Sequence, residues 1–346
     1  MSQQLKQFEH VVSPPKKRSR VSENNPYWEK KLSESQISLL EIHDKSDWVN
    51  VELFQDYKTP KGIMKKIHWK LPSTKEKNIT CGKFKTLGCF NLMGHPDNQA
   101  YIQHTKLSCF RSACEYCWME KWLARESRRS TLRIEKYESV MKQLGKTRFN
   151  KPIHVIVSPS WNDKFMRYDL LKKKCREILD KAGIKGGLLI YHPFKLDKKK
   201  MKWVCMPHFH VVGFGWLLDN NKNTDKQGWV IKNKGVRQSL HSTIYYQLSH
   251  AGVADNIHSI TWFGELGYRS KYAELIKVEN EEPNDNCEFC GEILVNAVFV
   301  ATDRPPPDKE FIGLVDSWDW LPTESKTMYF QKILDEKIIS LDFDFY

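Results

Sequence analysis

The sequence predicts an α+β fold: a central antiparallel sheet with flanking helices, preceded by an N-terminal zinc-binding module. Three observations predict it. Runs of strand period and helical period alternate between residues 153 and 263. A His208-Phe209-His210 triplet sits inside one strand run, Trp203 to Gly215. Five cysteines, Cys81, Cys89, Cys109, Cys114 and Cys117, fall within 37 residues ahead of these runs.

The pattern from Lys30 to Lys75 is mixed and assigns no element. A long helix is expected from near Cys114 to about Gly145. Ile153 to Val157 reads as a strand ended by Ser158-Pro159. Lys164 to Ala182 reads as a helix, with Leu171, Cys175, Ile178, Leu179 and Ala182 on one apolar face, which puts Cys175 in the core. Gly183 and the Gly186-Gly187 pair are expected to punctuate its end. Leu188 to His192 is a second strand, Lys195 to Lys202 a lysine-rich turn, and the His-Phe-His strand follows. There Cys205 shares parity with Trp203 and Phe209 and reads as a core residue. A polar loop over 219–235 leads to a short helix from Ser239 to His250 with Gly252 as its cap. Next come a strand at His258 to Phe263 and the turn Gly264 to Gly267. Cys287-x-x-Cys290 precedes a strand at Ile293 to Val300, and Pro305-Pro-Pro307 marks a boundary. The expected division is a disordered basic arm over 1–25, a zinc module with a basic helix over 26–148, and a central domain over 149–275 that holds the His-Phe-His strand. A Cys-x-x-Cys segment over 276–304 and an acidic tail over 305–346 complete it.

Composition narrows the function classes. Of 346 residues, 40% are hydrophobic and 12% aromatic, enough for a real core. The formal charge is +13. Because residues 308–346 hold nine acids and four bases, the rest of the chain carries +18. A surplus of that size points to a polyanionic partner, with nucleic acid ahead of a membrane surface. No apolar run approaches the roughly 18 residues of a membrane span, and the N-terminus lacks the apolar core of a signal peptide, so a cytoplasmic protein is expected. In that compartment nine cysteines read as metal ligands or core residues rather than disulfides. The cluster Pro14-Pro-Lys-Lys-Arg-Ser-Arg20 reads as a solvated arm, with a nucleic-acid arm or a localisation signal as the sharper alternative.

Three groups of residues carry chemistry. Side chains alternate along a strand, so His208 and His210 project from one face while Phe209 and Val211 enter the other. Neutral imidazole is the commonest metal ligand, and a strand fixes both Cβ directions. A third polar ligand is expected from the neighbouring strand. His192 shares a face with Leu188 and Ile190, and a hairpin would bring it alongside; His154 and Glu265 are weaker candidates. Arg125, Arg128, Arg129 and Arg133 recur at helical spacing, either a solvated face or a set of phosphate contacts. For structural Zn²⁺, Cys81, Cys109, Cys114 and Cys117 form the favoured tetrahedral set, with Cys89 or His104 as substitutes. Cys287 and Cys290 have knuckle spacing without a second cysteine pair. They are either half of a degenerate ribbon completed by a histidine or no metal site.

Several stretches together resemble the HUH endonuclease superfamily, and more narrowly the rolling-circle replication initiators of archaeal plasmids and viruses. They are Val155-Ile-Val-Ser-Pro159, His192-Pro-Phe194, Pro207-His-Phe-His-Val-Val-Gly-Phe-Gly215, Tyr246-Gln-Leu-Ser-His-Ala-Gly252 and Thr261-Trp-Phe-Gly264. The resemblance covers about residues 75 to 300. It implies a catalytic Mg²⁺ or Mn²⁺ on the histidines and a tyrosine that attacks the scissile phosphate, leaving a 5′-phosphotyrosine and a free 3′-OH. The implied partners are single-stranded or origin-hairpin DNA, with a host helicase and polymerase, since no P-loop is present. Tyr245 and Tyr246 compete for the nucleophile. Leu240, Ile244, Leu248 and Ala251 form an apolar stripe, and Tyr246 points away from it while Tyr245 lies at its edge, so Tyr246 is favoured. The family pattern has a lysine three positions after the tyrosine. This chain has Ser249 there and His250 next, which makes His250 the candidate assistant to the phenol. An HUH-type transposase is the nearest rival enzyme, and a non-catalytic zinc-containing DNA-binding repressor is the rival of another class.

Overall fold

The computed structural model describes residues 51–146, 151–197, 199–200, 202–215, 228–279 and 285–323, with the backbone alone of 223–224, 330–334 and 337–341. The chain divides into two units, 1–44 and 45–346. The first, with the expected basic arm, lies outside the described residues, as does most of the chain beyond 323. The second unit is α+β with antiparallel sheets and three α-helices among the described residues. No helix among them is long and apolar enough to cross a membrane.

In chain order the elements begin with β1 (Glu52–Lys58), β2 (Met64–Lys70), β3 (Phe84–Cys89) and β4 (Ala100–Lys106). A π-helical turn (Trp118–Leu123) runs into α1 (Ala124–Gln143), followed by β5 (Ile153–Ser158), α2 (Tyr168–Lys181), β6 (Ile184–Asp197) and β7 (Lys202–Gly215). Then come β8 (Asn223–Thr224), β9 (Val230–Val236), α3 (Leu240–Ser249), β10 (Ile260–Gly264), β11 (Val295–Phe299), β12 (Phe311–Val315) and β13 (Trp320–Thr323).

The central sheet has the order β10-β6-β7-β5-β9-β8, so the His-Phe-His strand β7 lies between β6 and β5. Alternation gives this sheet two apolar faces. Val155, Val157, Leu189, Tyr191, Phe209 and Val211 meet α2 and the β1-β2 hairpin, whose Trp69 is fully buried. Leu188, Ile190, Val212 and Phe214 meet α1 and α3 on the opposite side. The histidines share that second face, and the end of α3 reaches them through His250. Cys175 is fully buried as expected, whereas Cys205 is only half-buried because β7 runs out toward the hairpin tip there.

Several expectations are corrected. The helix assigned from Cys114 starts at Trp118 as a π turn, because the Cys117 carbonyl accepts from both Lys121 and Trp122 while its thiol is drawn into a cysteine cluster. Gly186 and Gly187 do not end α2. They lie within β6, where a Cβ on Gly187 would sit 2.5 Å from the Val212 carbonyl oxygen. Gly252 is not the cap of α3; His250 is, and a Cβ on Gly252 would come within 2.5 Å of Pro193. The N-cap is Ser239, whose hydroxyl accepts from the Ser242 amide at 3.2 Å. The stretch expected as a polar loop over 219–235 contains β9, and the unassigned segment before Lys75 contains the β1-β2 hairpin.

A second sheet has the order β12-β4-β3-β11-β13. Residues 285–323, expected as a Cys-x-x-Cys segment and the start of a tail, therefore pair with strands from the cysteine-rich N-terminal module.

Candidate metal centres and the tyrosine helix

The β6-β7 hairpin assembles three imidazoles. His192 is paired with His208, and His210 lies two residues further along the same face of β7. The register shifts between His192 and Phe194, at Pro193, whose missing N–H cannot join the ladder. Ring centroids lie 5.2 Å apart for His192 and His208, 4.4 Å for His192 and His210, and 5.0 Å for His208 and His210. One nitrogen from each lies within 4.8 Å of the others. His192 is thus grouped with His208 and His210. Glu265 accepts a hydrogen bond from the Tyr137 hydroxyl instead, and His154 stands behind His210.

Each ring has distinct partners. The His208 Nδ1–H donates to the Met206 carbonyl at 2.8 Å, leaving Nε2 with its lone pair. His192 is fully buried with no hydrogen bond of normal geometry at either ring nitrogen. A buried imidazole left this way costs about 1–3 kcal/mol unless something else satisfies it. Arg237 donates to His154 Nδ1 at 3.0 Å, so His154 Nε2–H donates to His210 Nδ1 at 2.8 Å. A neutral His210 then carries its proton on Nε2.

Electrostatics keep the group uncharged. Burial, then the neighbouring imidazoles, hold His192 and His210 well below the usual histidine range. The Gln247 backbone opposes this for His192 only weakly. His208 keeps an edge open to solvent, yet burial pushes it down to about 4 against the pull of the Met206 carbonyl. His154 falls to about 3 through burial and the charges of Arg237 and Lys234. Neutral imidazole is the ligating form, so the cluster is ready to accept a cation at neutral pH.

Helix α3 brings the tyrosines to this group. The Tyr246 ring lies 4.9 Å from His250, and His250 packs edge-on against His192 at 4.5 Å. Tyr245 instead packs against the α1-α3 core with His241 at 6.0 Å. The anchor is Gly252, whose amide donates to the Tyr191 carbonyl at 2.9 Å and ties the end of α3 to β6 beside His192. Burial raises the phenol of Tyr246 above its ordinary value, so at neutral pH it is protonated and needs an acceptor to react.

Two cysteine centres are separate from the histidines. Cys81, Cys109, Cys114 and Cys117 converge, with Cys81 and Cys114 sulfurs at 3.8 Å and those of Cys109 and Cys117 at 3.5 Å. Tetrahedral Zn–S bonds of about 2.3 Å place sulfurs roughly 3.8 Å apart, so this set can hold Zn²⁺ as a closed structural site. Burial opposes ionisation of Cys109, but hydrogen bonds from Arg111 outweigh it and bring the thiol down to about 6.

Cys89, a possible substitute in that set, belongs elsewhere. It meets His95, Cys287 and Cys290, with Cys89 and Cys290 sulfurs at 3.5 Å and Cys287 Sγ 3.2 Å from His95 Nε2. The His95 Nδ1–H donates to the Gln99 carbonyl at 2.8 Å, which frees Nε2 for a metal. This second set can also hold Zn²⁺, and it closes the half-ribbon of Cys287 and Cys290 with a histidine and a distant cysteine. The sequence signal for it is His95, six residues after Cys89. His104 ligates neither centre; it stacks on Phe84 at 4.1 Å and bonds Thr86.

The basic stripe on α1 is mixed in character. Arg128 is exposed and Arg129 half-buried, while Arg125 pairs with Glu126 over the Phe110 ring. Arg133, expected on a solvated or phosphate-contacting stripe, is buried: it donates to the Leu266 carbonyl at 3.0 Å between the Trp262 and Tyr268 rings. Arg133→Ala should therefore lower stability by about 1.5–3 kcal/mol, since it removes a charge-assisted bond from a buried carbonyl. Thermal unfolding checks this, and a loss below about 0.5 kcal/mol would return Arg133 to the solvated stripe.

No family model, curated protein or solved structure matches this chain.

Proposed function

We propose that this chain is an HUH-type DNA endonuclease and strand transferase, a replication initiator that nicks and rejoins single-stranded or hairpin DNA at an origin for rolling-circle replication. The observation that carries the reading is the contact series Tyr246, His250, His192. It links a phenol on α3 to three imidazoles on a central hairpin. The HUH resemblance in the sequence puts its nucleophile and its metal ligands on these same elements.

The chemistry balances with these residues. His250, beside the phenol, takes the Tyr246 proton as Oη attacks phosphorus. The Oη–P bond forms, the P–O3′ bond breaks, and the released 3′ oxygen gains a proton. A divalent cation on the histidines would offset charge on the non-bridging oxygens. The 3′-OH primes synthesis, and the reverse attack reseals the strand. Unwinding and extension fall to a host helicase and polymerase in the cytoplasm.

The donor set favours Mn²⁺ over Mg²⁺, because three imidazoles without a carboxylate suit a transition ion better than a hard, oxygen-seeking one. With the cysteine centres loaded, Mn²⁺ at 100 times its Kd should stabilise the protein by about 2.7 kcal/mol. Mg²⁺ should do less at equal concentration, and His208→Ala should abolish the response. An undiminished Mn²⁺ shift in that variant would remove the histidines from the site. The function itself is tested by incubating the protein with Mn²⁺ and labelled single-stranded origin DNA. A denaturant-resistant adduct is expected, whereas tight binding without adduct on any oligonucleotide favours the repressor reading.

A further inference from the structure

A groove of about 1480 Å³ runs beside the histidine hairpin without containing it. One wall is the N-terminal half of α1, with Arg125 and Arg129. The other is the segment from Val253 to Ile260, which leaves α3 just past His250 and is stitched to Lys70 of β2 by backbone hydrogen bonds in both directions at 2.9 Å. The loop Phe110 to Ala113 of the first cysteine centre also lines it, as do Tyr268 and Lys277. The groove therefore joins the cysteine module to the central sheet.

Its lining holds seven Lys and Arg against four Asp and Glu. Internal pairing uses part of that charge, through Lys75 with Asp255 and Arg125 with Glu126. Lys70, Arg129 and Lys277 make no ion pair among the described residues. The same lining holds exposed aromatic rings. Tyr268 is 73% exposed, with its ring 4.8 Å from the Arg133 guanidinium; Phe110 is 40% exposed, with its ring 4.5 Å from that of Arg125. Phe110 is also held at a positive φ of 49°, a conformation uncommon for a bulky side chain. Cations spaced among open aromatic rings match a chain of phosphates whose bases are free to stack. A duplex hides its base faces, and an acidic peptide has none.

We infer that this groove holds the single-stranded DNA leading to the scissile phosphate, with Arg129 and Lys277 on its backbone and Tyr268 and Phe110 stacked on its bases. The inference rests on the nicking function proposed above and supplies the substrate track for it. It gives the first cysteine centre a direct part in binding, through the loop that carries Phe110.

The test uses the full chain in a Tyr246→Phe background without added Mn²⁺, so that binding is read apart from cleavage. The probe is a fluorescein-labelled oligothymidylate followed by anisotropy across a salt series. Tyr268→Ala should weaken binding about 5- to 150-fold and Tyr268→Phe should restore it. Arg129→Ala with Lys277→Ala should lower the salt slope by about 1.4. A duplex of equal length should bind more weakly and be indifferent to Tyr268→Ala. Unchanged affinity in Tyr268→Ala together with an unchanged salt slope overturns the groove. The two readings fail separately. If Tyr246-intact protein forms adducts that groove variants leave undiminished at limiting DNA, nicking stands and the groove falls. If groove variants lose binding while no adduct ever forms, the groove stands and nicking falls.

Discussion

Tyr246→Phe should abolish covalent capture of single-stranded DNA, a loss of at least about a thousandfold, while the protein stays folded. The substitution removes one oxygen from a half-buried ring and leaves its packing against His250 in place. Tyr245→Phe is the matched control, because its ring packs in the α1-α3 core beside His241, whereas it is Tyr246 that packs on His250. It should retain adduct formation within a fewfold. His250→Ala should fall between the two, about 100- to 10,000-fold down, the range for losing a general base or acid. The reason is that burial holds the Tyr246 phenol protonated, so an acceptor beside it matters. Denaturing gels of the three variants with Mn²⁺ and labelled DNA decide the order. Adducts that persist in Tyr246→Phe and vanish in Tyr245→Phe would falsify the assignment of the nucleophile.

Most of the histidine site is legible in strand parity. The spacing of His208 and His210 dictates a shared face, and the parity of Leu188, Ile190 and His192 supplies the third imidazole, because an antiparallel hairpin converts parity into contact. The apolar stripe of α3 separates Tyr245 from Tyr246 for the same reason, since helical period determines which side chain a packed face claims. What parity does not show is contact between distant segments. Cys89 and His95 lie 192 to 201 residues from Cys287 and Cys290, and the second sheet brings them together. Arg133 looks like its neighbours on the stripe. Its burial depends on Leu266, Trp262 and Tyr268, which no local pattern connects to α1. Strand β9 is hidden by the Asn and Lys content of its stretch, although Ile231 within it and Trp229 just before it are buried. His154 reads as a weak candidate in sequence because its role runs through His210 rather than toward the shared opening.

Cys114→Ser should cost one zinc of an expected two per chain and unfold more than the cysteine module. Cys114 is fully buried among three other thiols, and a structural zinc in such a set contributes about 10–16 kcal/mol of apparent binding energy, comparable with the whole stability of a domain. The same cluster is the start of α1. The Cys117 carbonyl accepts the bonds that wind the π turn, and this turn buries Trp118 and Trp122 in the core under α1 and α3. Loss of this zinc should therefore loosen α1 and, through its packing on α3, the helix that carries Tyr246 and His250, and both DNA binding and adduct formation should fail with it. Cys290→Ser should also cost one zinc, but its damage should be confined to the second sheet, where Cys290 fastens the turn before β11 to Cys89 at the end of β3. Cys175→Ser, altering a fully buried thiol outside both centres, should keep both zincs. Elemental analysis of the purified variants gives the stoichiometry, and amide exchange locates the loosened strands. Two zincs retained in Cys114→Ser, or equal loosening of α1 in Cys114→Ser and Cys290→Ser, would mean that the first centre does not brace the helices beside the histidines.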